Sequence, residues 1–266
     1  MADFTAQDVK RLRDMTGAGM MDAKRALQEN DGDFEAAKQW LREKGLAKSA
    51  ERSDRESTQG AVALARVDNV AALVQLKCET DFVAKNADFV NTANDIAELV
   101  AKQGEGAVEQ KAEAIDDLKI TLKENIGLGR VARIEAKEGQ ILDTYLHVQE
   151  GRGVNGVVVL LEGGDQDLAH EVAVNVAFAK PAYLRREDVP AEEVEAERAT
   201  LEAQTRNEGK PEAALDKIVT GKLDGWFKRM PGGVLLEQPY AKDEKKSIKQ
   251  LLGDADVVEF AQVLIG

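Results

Sequence analysis

The chain has 266 residues with 36 Lys/Arg against 49 Asp/Glu, and its formal net charge of -13 argues against nucleic acid as a direct ligand. One cysteine, Cys78, and two histidines, His147 and His170, exclude an internal disulfide and make a zinc cluster or other metal centre improbable. No run approaches the ~18 apolar residues of a membrane span, and Met1-Ala2-Asp3-Phe4 lacks a signal-peptide pattern, so a cytoplasmic protein without a membrane partner is expected.

The excess charge is unevenly placed. Residues 1–55 carry 11 basic and 11 acidic side chains, so they balance, and all of the net charge falls on the remainder. This first segment reads as a separate module. Thr5 can cap a helix with Asp8 returning the bond, and Phe4 can pack on Val9, a capping box with a hydrophobic staple. Val9, Leu12 and Met15 continue one apolar face up to the turn Thr16-Gly17-Ala18-Gly19. A second helix runs from Met20 to Glu29 with Ala23 and Leu27 inward. A third follows Asn30-Asp31-Gly32-Asp33, keeps Phe34, Ala37, Trp40 and Leu41 on one side, and is expected to stop at Gly45. Gly45 to Gln59, rich in charge and serine, reads as a solvated linker.

Residues 56–139 form the next unit. A hairpin turns at Asp68-Asn69, and two amphipathic helices follow, one using Phe89, Ala93, Ile96 and Val100, the other Ile115, Leu118, Leu122 and Ile126. A strand from Leu128 to Ala136 closes a β-β-α-α-β unit, a sheet with helices on one face. Residues 140–266 follow a similar plan. Strands are expected at Ile141–Val148, Val154–Glu162, Val234–Gln238 and Val257–Ile265, and helices at Asp167–Ala179 and Lys245–Leu252. Within this half, 187–229 reads as an inserted helical hairpin, opened by Asp188-Val189-Pro190 and reversed at Gly209-Lys210-Pro211. Leu215, Ile218, Val219 and Leu223 give it a thin apolar stripe, suited to self-association or partner contact. The fold class is therefore α+β: a three-helix bundle, two related subdomains and a hairpin.

Three features stand out as candidate sites. Cys78-Glu79-Thr80-Asp81-Phe82-Val83-Ala84-Lys85-Asn86 places a capping Thr, a carboxylate and a large ring at the turn between a strand and a helix. The ring is either tucked under its scaffold or offered to a partner, while Cys78 reads as a small buried hydrophobe. Consecutive methionines at Met20 and Met21 cannot both face a three-helix core, because adjacent helical positions lie about 100° apart. Packing and an adaptable contact surface are equally open readings for this pair. His147 shares a strand face with Tyr145, which favours a structural role. No nucleophile elbow, phosphate loop or set of paired acids marks an enzyme.

Several motifs, in order, resemble the bacterial elongation factor Ts family: Thr16-Gly17-Ala18-Gly19-Met20-Met21-Asp22, Asp31-Gly32-Asp33, Cys78 to Asn86, and Glu208-Gly209-Lys210-Pro211. Gly221-Lys222-Leu223 with Phe227, and Leu235-Leu236-Glu237-Gln238-Pro239, extend the likeness over nearly the whole chain. The resemblance implies a guanine nucleotide exchange factor that binds elongation factor Tu, with no cofactor and no small-molecule substrate of its own. It implies a first module like ubiquitin-associated domains and a hairpin that serves as a dimerisation module. It also gives the turn Thr80, Asp81, Phe82 and Val83 the task of displacing the partner's Mg²⁺, with Asp81 and Phe82 pushing between two partner helices. Arg13, Met20 and Met21 match positions that touch the partner's nucleotide domain, and His147 a position facing another partner domain. Some members carry an extra C-terminal helical module, whereas this sequence ends at Ile265-Gly266 after its last expected strand, so contacts assigned to that module are expected to be missing. The alternatives from other classes are an adaptor with a scaffold body, and a carboxylate-based hydrolase.

Overall fold

A computed structural model describes residues 4–265. Helices α1 (Ala6–Thr16), α2 (Met20–Glu29) and α3 (Phe34–Ala50) share a small core of Val9, Leu12, Ala23, Ala26, Leu27, Ala37 and Leu41. The start of α1 is fixed locally. The Asp8 amide donates to Thr5 Oγ1 at 3.2 Å, the Thr5 amide donates to Asp8 Oδ2 at 2.8 Å, and Phe4 packs into the same cluster as Val9. Met15 departs from the expected inward face: it is 53% exposed, because the helix ends one residue later with no further layer to cover it.

Helix α3 does not stop at Gly45. Its continuation packs on α6 (Ala112–Leu122), and a Cβ on Gly45 would stand 2.8 Å from Ile120 Cγ2. The glycine is a point of close helix approach rather than a terminator, so tertiary packing overrides its poor helix propensity. Residues after α3 stay largely exposed, as expected of a solvated stretch, but they are tied to the body: Asn125 Nδ2 donates to the carbonyls of Ser53 (3.0 Å) and Arg55 (2.7 Å), and Arg52 donates to the Lys119 carbonyl at 3.0 Å.

The body comprises two antiparallel three-stranded sheets. In the first, β1 (Gln59–Val67), β2 (Val70–Cys78) and β3 (Gly127–Glu135) lie in the order β1-β2-β3. Between β2 and β3 run α4 (Asp81–Ala84), α5 (Ala87–Gln103) and α6. In the second sheet β4 (Gln140–Gln149), β5 (Arg152–Glu162) and β8 (Asp256–Leu264) lie in the order β4-β5-β8. Each sheet is buried on both faces, which explains the unbroken apolar runs in its central strand. Alternate residues separate the two environments. Ala72, Val74, Leu76 and Cys78 of β2 face α5 and α6, while Ala71 and Leu73 join Val158 and Leu160 of β5 between the sheets. Val157, Val159 and Leu161 face α7 (Gln166–Ala179). The sheets approach so closely at Gly156 that a Cβ there would stand 2.6 Å from Leu73 Cδ2.

The hairpin helices α8 (Ala191–Asn207) and α9 (Glu212–Phe227) bury Leu201, Thr205, Leu215, Val219, Leu223 and Phe227. At its base Arg186 lies 2.8 Å from Asp224 and stacks 4.4 Å from the Phe227 ring centroid. Val234–Gln238 is not a strand. One isolated bridge joins Val234 to Tyr183, and a 3-10 turn Leu235–Glu237 follows, ending on the fully buried Gln238. The expected helix from Lys245 begins later: β6 (Pro239–Tyr240) pairs with β7 (Asp243–Ser247), whose lysines stay in solvent, and Ser247 then caps α10 (Ile248–Leu252).

Candidate functional site

The turn between β2 and α5 is built from residues with separable tasks. The side chain of Thr80 caps α4, accepting from the Val83 amide at 3.4 Å, and that of Asn86 caps α5, accepting from the Asp88 amide at 2.9 Å. Ala84 is fully buried, Val83 packs against the first subdomain's core, and Phe89 anchors the start of α5 at 0% exposure. These inward residues leave one side chain with nowhere to pack. Phe82 is 82% exposed, the most exposed large apolar side chain among the described residues. The sequence left its ring either tucked away or offered; the fold presents it to solvent.

Polar contacts brace the turn from two sides. Glu124, which follows α6, accepts from the backbone amides of Glu79 (2.9 Å) and Thr80 (3.0 Å) and from the Thr80 hydroxyl (2.5 Å). In return the Asn125 amide donates to Glu79 Oε1 at 2.7 Å. On the other side Lys85 lies 2.8 Å from Asp81 and 2.6 Å from Glu150, at the tip between β4 and β5. Its hydrogen bond holds the Asp81 carboxyl below the ordinary carboxylate range, and the two carboxylates raise the Lys85 ammonium. Cys78, directly before the turn, is fully buried with its Sγ 3.2 Å from the Thr80 carbonyl oxygen, and burial pushes its thiol up to about 12. This is the inert small hydrophobe the sequence suggested.

The remaining site residues lie on two other surfaces. Arg13 is exposed in the last turn of α1, and its guanidinium makes no ion pair among the described residues. Met20 and Met21 open α2 at 47% and 74% exposure. The turn carrying them rests on α6, where a Cβ on Gly17 would stand 3.1 Å from Thr121 Cγ2. His147 is exposed near the end of β4, beside a bulge in its pairing with β5. It lies three residues before Glu150, so the strand that bears it leads into the tip held by Lys85. The other histidine, His170, pairs through Nδ1 with Asp143 Oδ2 at 2.9 Å and packs edge-on to the Tyr145 ring, 6.5 Å between centroids. Glu124, Lys85 and Glu150 were missed as bracing residues. Only the i,i+4 spacing of Asp81 and Lys85 gave a local signal.

No group of three or more His, Cys, Asp or Glu side chains is placed to hold a metal among the described residues, and no helix is long and apolar enough to cross a membrane. The turn offers an apolar ring on a rigid mount beside a charge pair, which suits insertion into another protein. The family model described as "Elongation factor TS" matches residues 79–266, beginning one residue before Thr80. The chain belongs to the elongation factor Ts family. It is 46% identical over 280 residues to Elongation factor Ts of Clavibacter sepedonicus, covering all of both chains. It is 45% identical to Elongation factor Ts of Mycobacterium ulcerans (strain Agy99), covering all of this chain and 99% of that one. With Elongation factor Ts of Streptomyces coelicolor it shares 43% identity over 283 residues, again across both full lengths. Membership in this elongation factor Ts family makes the chain a translation elongation factor. The matched region includes the exposed turn, β3 of the first sheet, the whole second sheet and the hairpin, while the full-length relatives also span α1 to α3 and the strands β1 and β2.

Proposed function

We propose that this chain binds elongation factor Tu carrying GDP and speeds GDP release by stabilising the nucleotide-free partner, after which GTP can bind. The observation that carries the reading is Phe82, 82% exposed at the apex of a turn whose neighbours are capped, buried or braced. Such a ring costs little conformational entropy to insert, because its mount is already ordered. In this reading Thr80, Asp81, Phe82 and Val83 form the wedge that displaces the partner's Mg²⁺. The chain itself makes or breaks no covalent bond. Its effect on nucleotide is a coupling between two binding equilibria, so the partner's affinity for GDP falls as its affinity for this chain rises.

Magnitudes limit what the wedge does alone. Burying a Phe contributes about 1.5–3 kcal/mol, or about one to two powers of ten in an equilibrium constant. Arg13, Met20 and Met21 on the first module and His147 on the second subdomain supply further contacts, and the complex is a heterodimer formed in the cytoplasm. No nucleic acid, membrane or small-molecule substrate of the chain's own enters this scheme.

The test is release of a fluorescent GDP analogue from elongation factor Tu with substoichiometric chain. The expected result is acceleration by the wild type and a loss of roughly ten-fold or more with Phe82→Ala. Thermal unfolding of that variant should stay within about 0.5 kcal/mol of wild type, since the ring has little packing to lose. Full activity in a folded Phe82→Ala protein would refute the wedge. Stable binding of the partner with an unchanged GDP off-rate would favour an adaptor instead.

A further inference from the structure

Methionine is ordinarily an adaptable filler of apolar interiors. Here every methionine among the described residues lies in solvent: Met15 at 53%, Met20 at 47%, Met21 at 74% and Met230 at 40% exposure. Three of these four fall within seven residues, closing α1 and opening α2 around the turn Thr16 to Gly19. The chain's one thiol offers no competing target for an oxidant. Cys78 is fully buried, and its thiolate, the form that reacts, is disfavoured because burial pushes the thiol up to about 12. Thioethers need no deprotonation, so exposure alone governs their reaction.

We infer that Met15, Met20 and Met21 form an oxidation-sensitive site, at which conversion to methionine sulfoxide by a peroxide weakens docking of the first module on the partner. In this step the thioether sulfur attacks one peroxide oxygen, an S–O bond forms and the O–O bond breaks. The sulfur is oxidised by two electrons, the peroxide is reduced, and the departing oxygen leaves as water. The product is a polar, chiral sulfoxide where an apolar and flexible side chain stood. A contact that buried the thioether must now bury a sulfoxide oxygen without a designed partner. The change is reversible by methionine sulfoxide reductases, so it acts as a switch rather than as damage alone. Phe82 and the charge pair beside it are chemically untouched. The functional consequence rests on the exchange reading above; the location of the site does not.

The test exposes the full chain to hydrogen peroxide, quenches with catalase, maps sulfoxides by peptide mass spectrometry, and compares GDP release from elongation factor Tu before and after. A Met15→Leu, Met20→Leu, Met21→Leu variant is treated in parallel, and each protein is scored against its own untreated rate. Expected are sulfoxides at Met15, Met20 and Met21, and a roughly ten-fold loss of exchange in the wild type, the scale of an unsatisfied buried polar group. Reductase treatment should restore the rate, and the leucine variant should keep its own. Sulfoxides confined to Met230, full exchange by wild type oxidised at all three positions, or an equal loss in the leucine variant would each overturn the inference. If the untreated wild type does not speed GDP release, the exchange reading fails and its consequence with it. The sulfoxide map still decides the site.

Discussion

The Lys85 ammonium lies 2.6 Å from the Glu150 carboxylate, and so ties the exposed turn of the first subdomain to the β4–β5 tip of the second. The same ammonium holds Asp81 at 2.8 Å, which makes it the common partner of two carboxylates from different halves. Lys85→Met should therefore lower exchange by releasing Asp81 and the β4–β5 tip together, whereas Glu150→Gln should affect only the tip. The pair should be insensitive to pH near neutrality. Asp81 is shifted down, so its contribution is present above the ordinary carboxylate value of about 3.9 and is lost only on acidification below it. Lys85 is shifted up, so its contribution is complete below about 10.4 and is lost only on further alkalinisation. GDP-release rates for wild type and Lys85→Met should thus run parallel between about pH 6 and 9; a divergence there would remove the pair from the mechanism. Both side chains are partly open to solvent, so added salt should narrow the gap between the two proteins.

Glu124 is the second brace, and its removal should loosen the turn more than it unfolds the protein. Glu124→Ala leaves the Glu79 and Thr80 amides and the Thr80 hydroxyl without their shared acceptor. The expected cost is about 1–3 kcal/mol for the buried part of this set. The decisive readout is local: amide hydrogen exchange at residues 79–83 should accelerate while that of β2 and α5 stays slow. GDP release should fall with it, even though Glu124 itself need not touch the partner. Unchanged protection at the turn would show that Thr80 and Asn86 suffice as caps.

Gly45 and Ile120 set the seating of the first module. Gly45→Leu places a side chain where Ile120 Cγ2 already stands 2.8 Å from an ideal Cβ, yet leucine favours the helix over glycine by several tenths of a kcal/mol. Any loss must then come from overpacking, about 1–3 kcal/mol. Ile120→Ala should rescue it. Two labels, one on α2 and one on α5, would report the outcome by energy transfer: separation should change in Gly45→Leu and return toward wild type in the double variant. Additive effects of the two substitutions would mean that this contact does not position the module.

What was legible in the sequence was what is local or strictly periodic. The Thr5–Asp8 box, the Asp33 cap and the unbroken apolar run of β2 are each decided within a few neighbouring residues, and all three form. Errors arose where a residue's meaning depends on a distant partner. Gly45 carries the signature of a helix stop, but its role is set by Ile120, and Met15 fits the apolar stripe of α1 yet finds no layer above it. The exposed turn shows the same division. Its Thr80 cap could be read, but neither Glu124 nor Glu150 is near enough in sequence to be paired with it. Whether Phe82 turned in or out depended on Val83, Ala84 and Phe89 filling the available core first.

Cys78 gives a prediction that separates burial from reactivity. In the folded chain its thiol is pushed up to about 12, chiefly by burial and next by the Glu124 carboxylate, so the thiolate is scarce at ordinary pH. A thiol reagent at pH about 8 should label it only at the rate of opening or unfolding, and denaturant should make labelling fast. The same shift has a thermodynamic sign. Between the unfolded value near 8.5 and the folded value, the native state retains a proton that the unfolded chain gives up, so stability is complete below about 8.5 and falls as pH rises through that window. One such group sets a limiting slope of about 1.4 kcal/mol per pH unit. Urea unfolding at pH about 7.5 and about 9.5 should show this loss in wild type and a smaller one in Cys78→Ala, whose small cavity lowers stability equally at both values. Equal alkaline losses in the two proteins would assign the slope to other groups. Fast labelling of the folded wild type would show that the strand end beneath Thr80 opens freely. The turn that presents Phe82 would then rest on a mobile base instead of a fixed one.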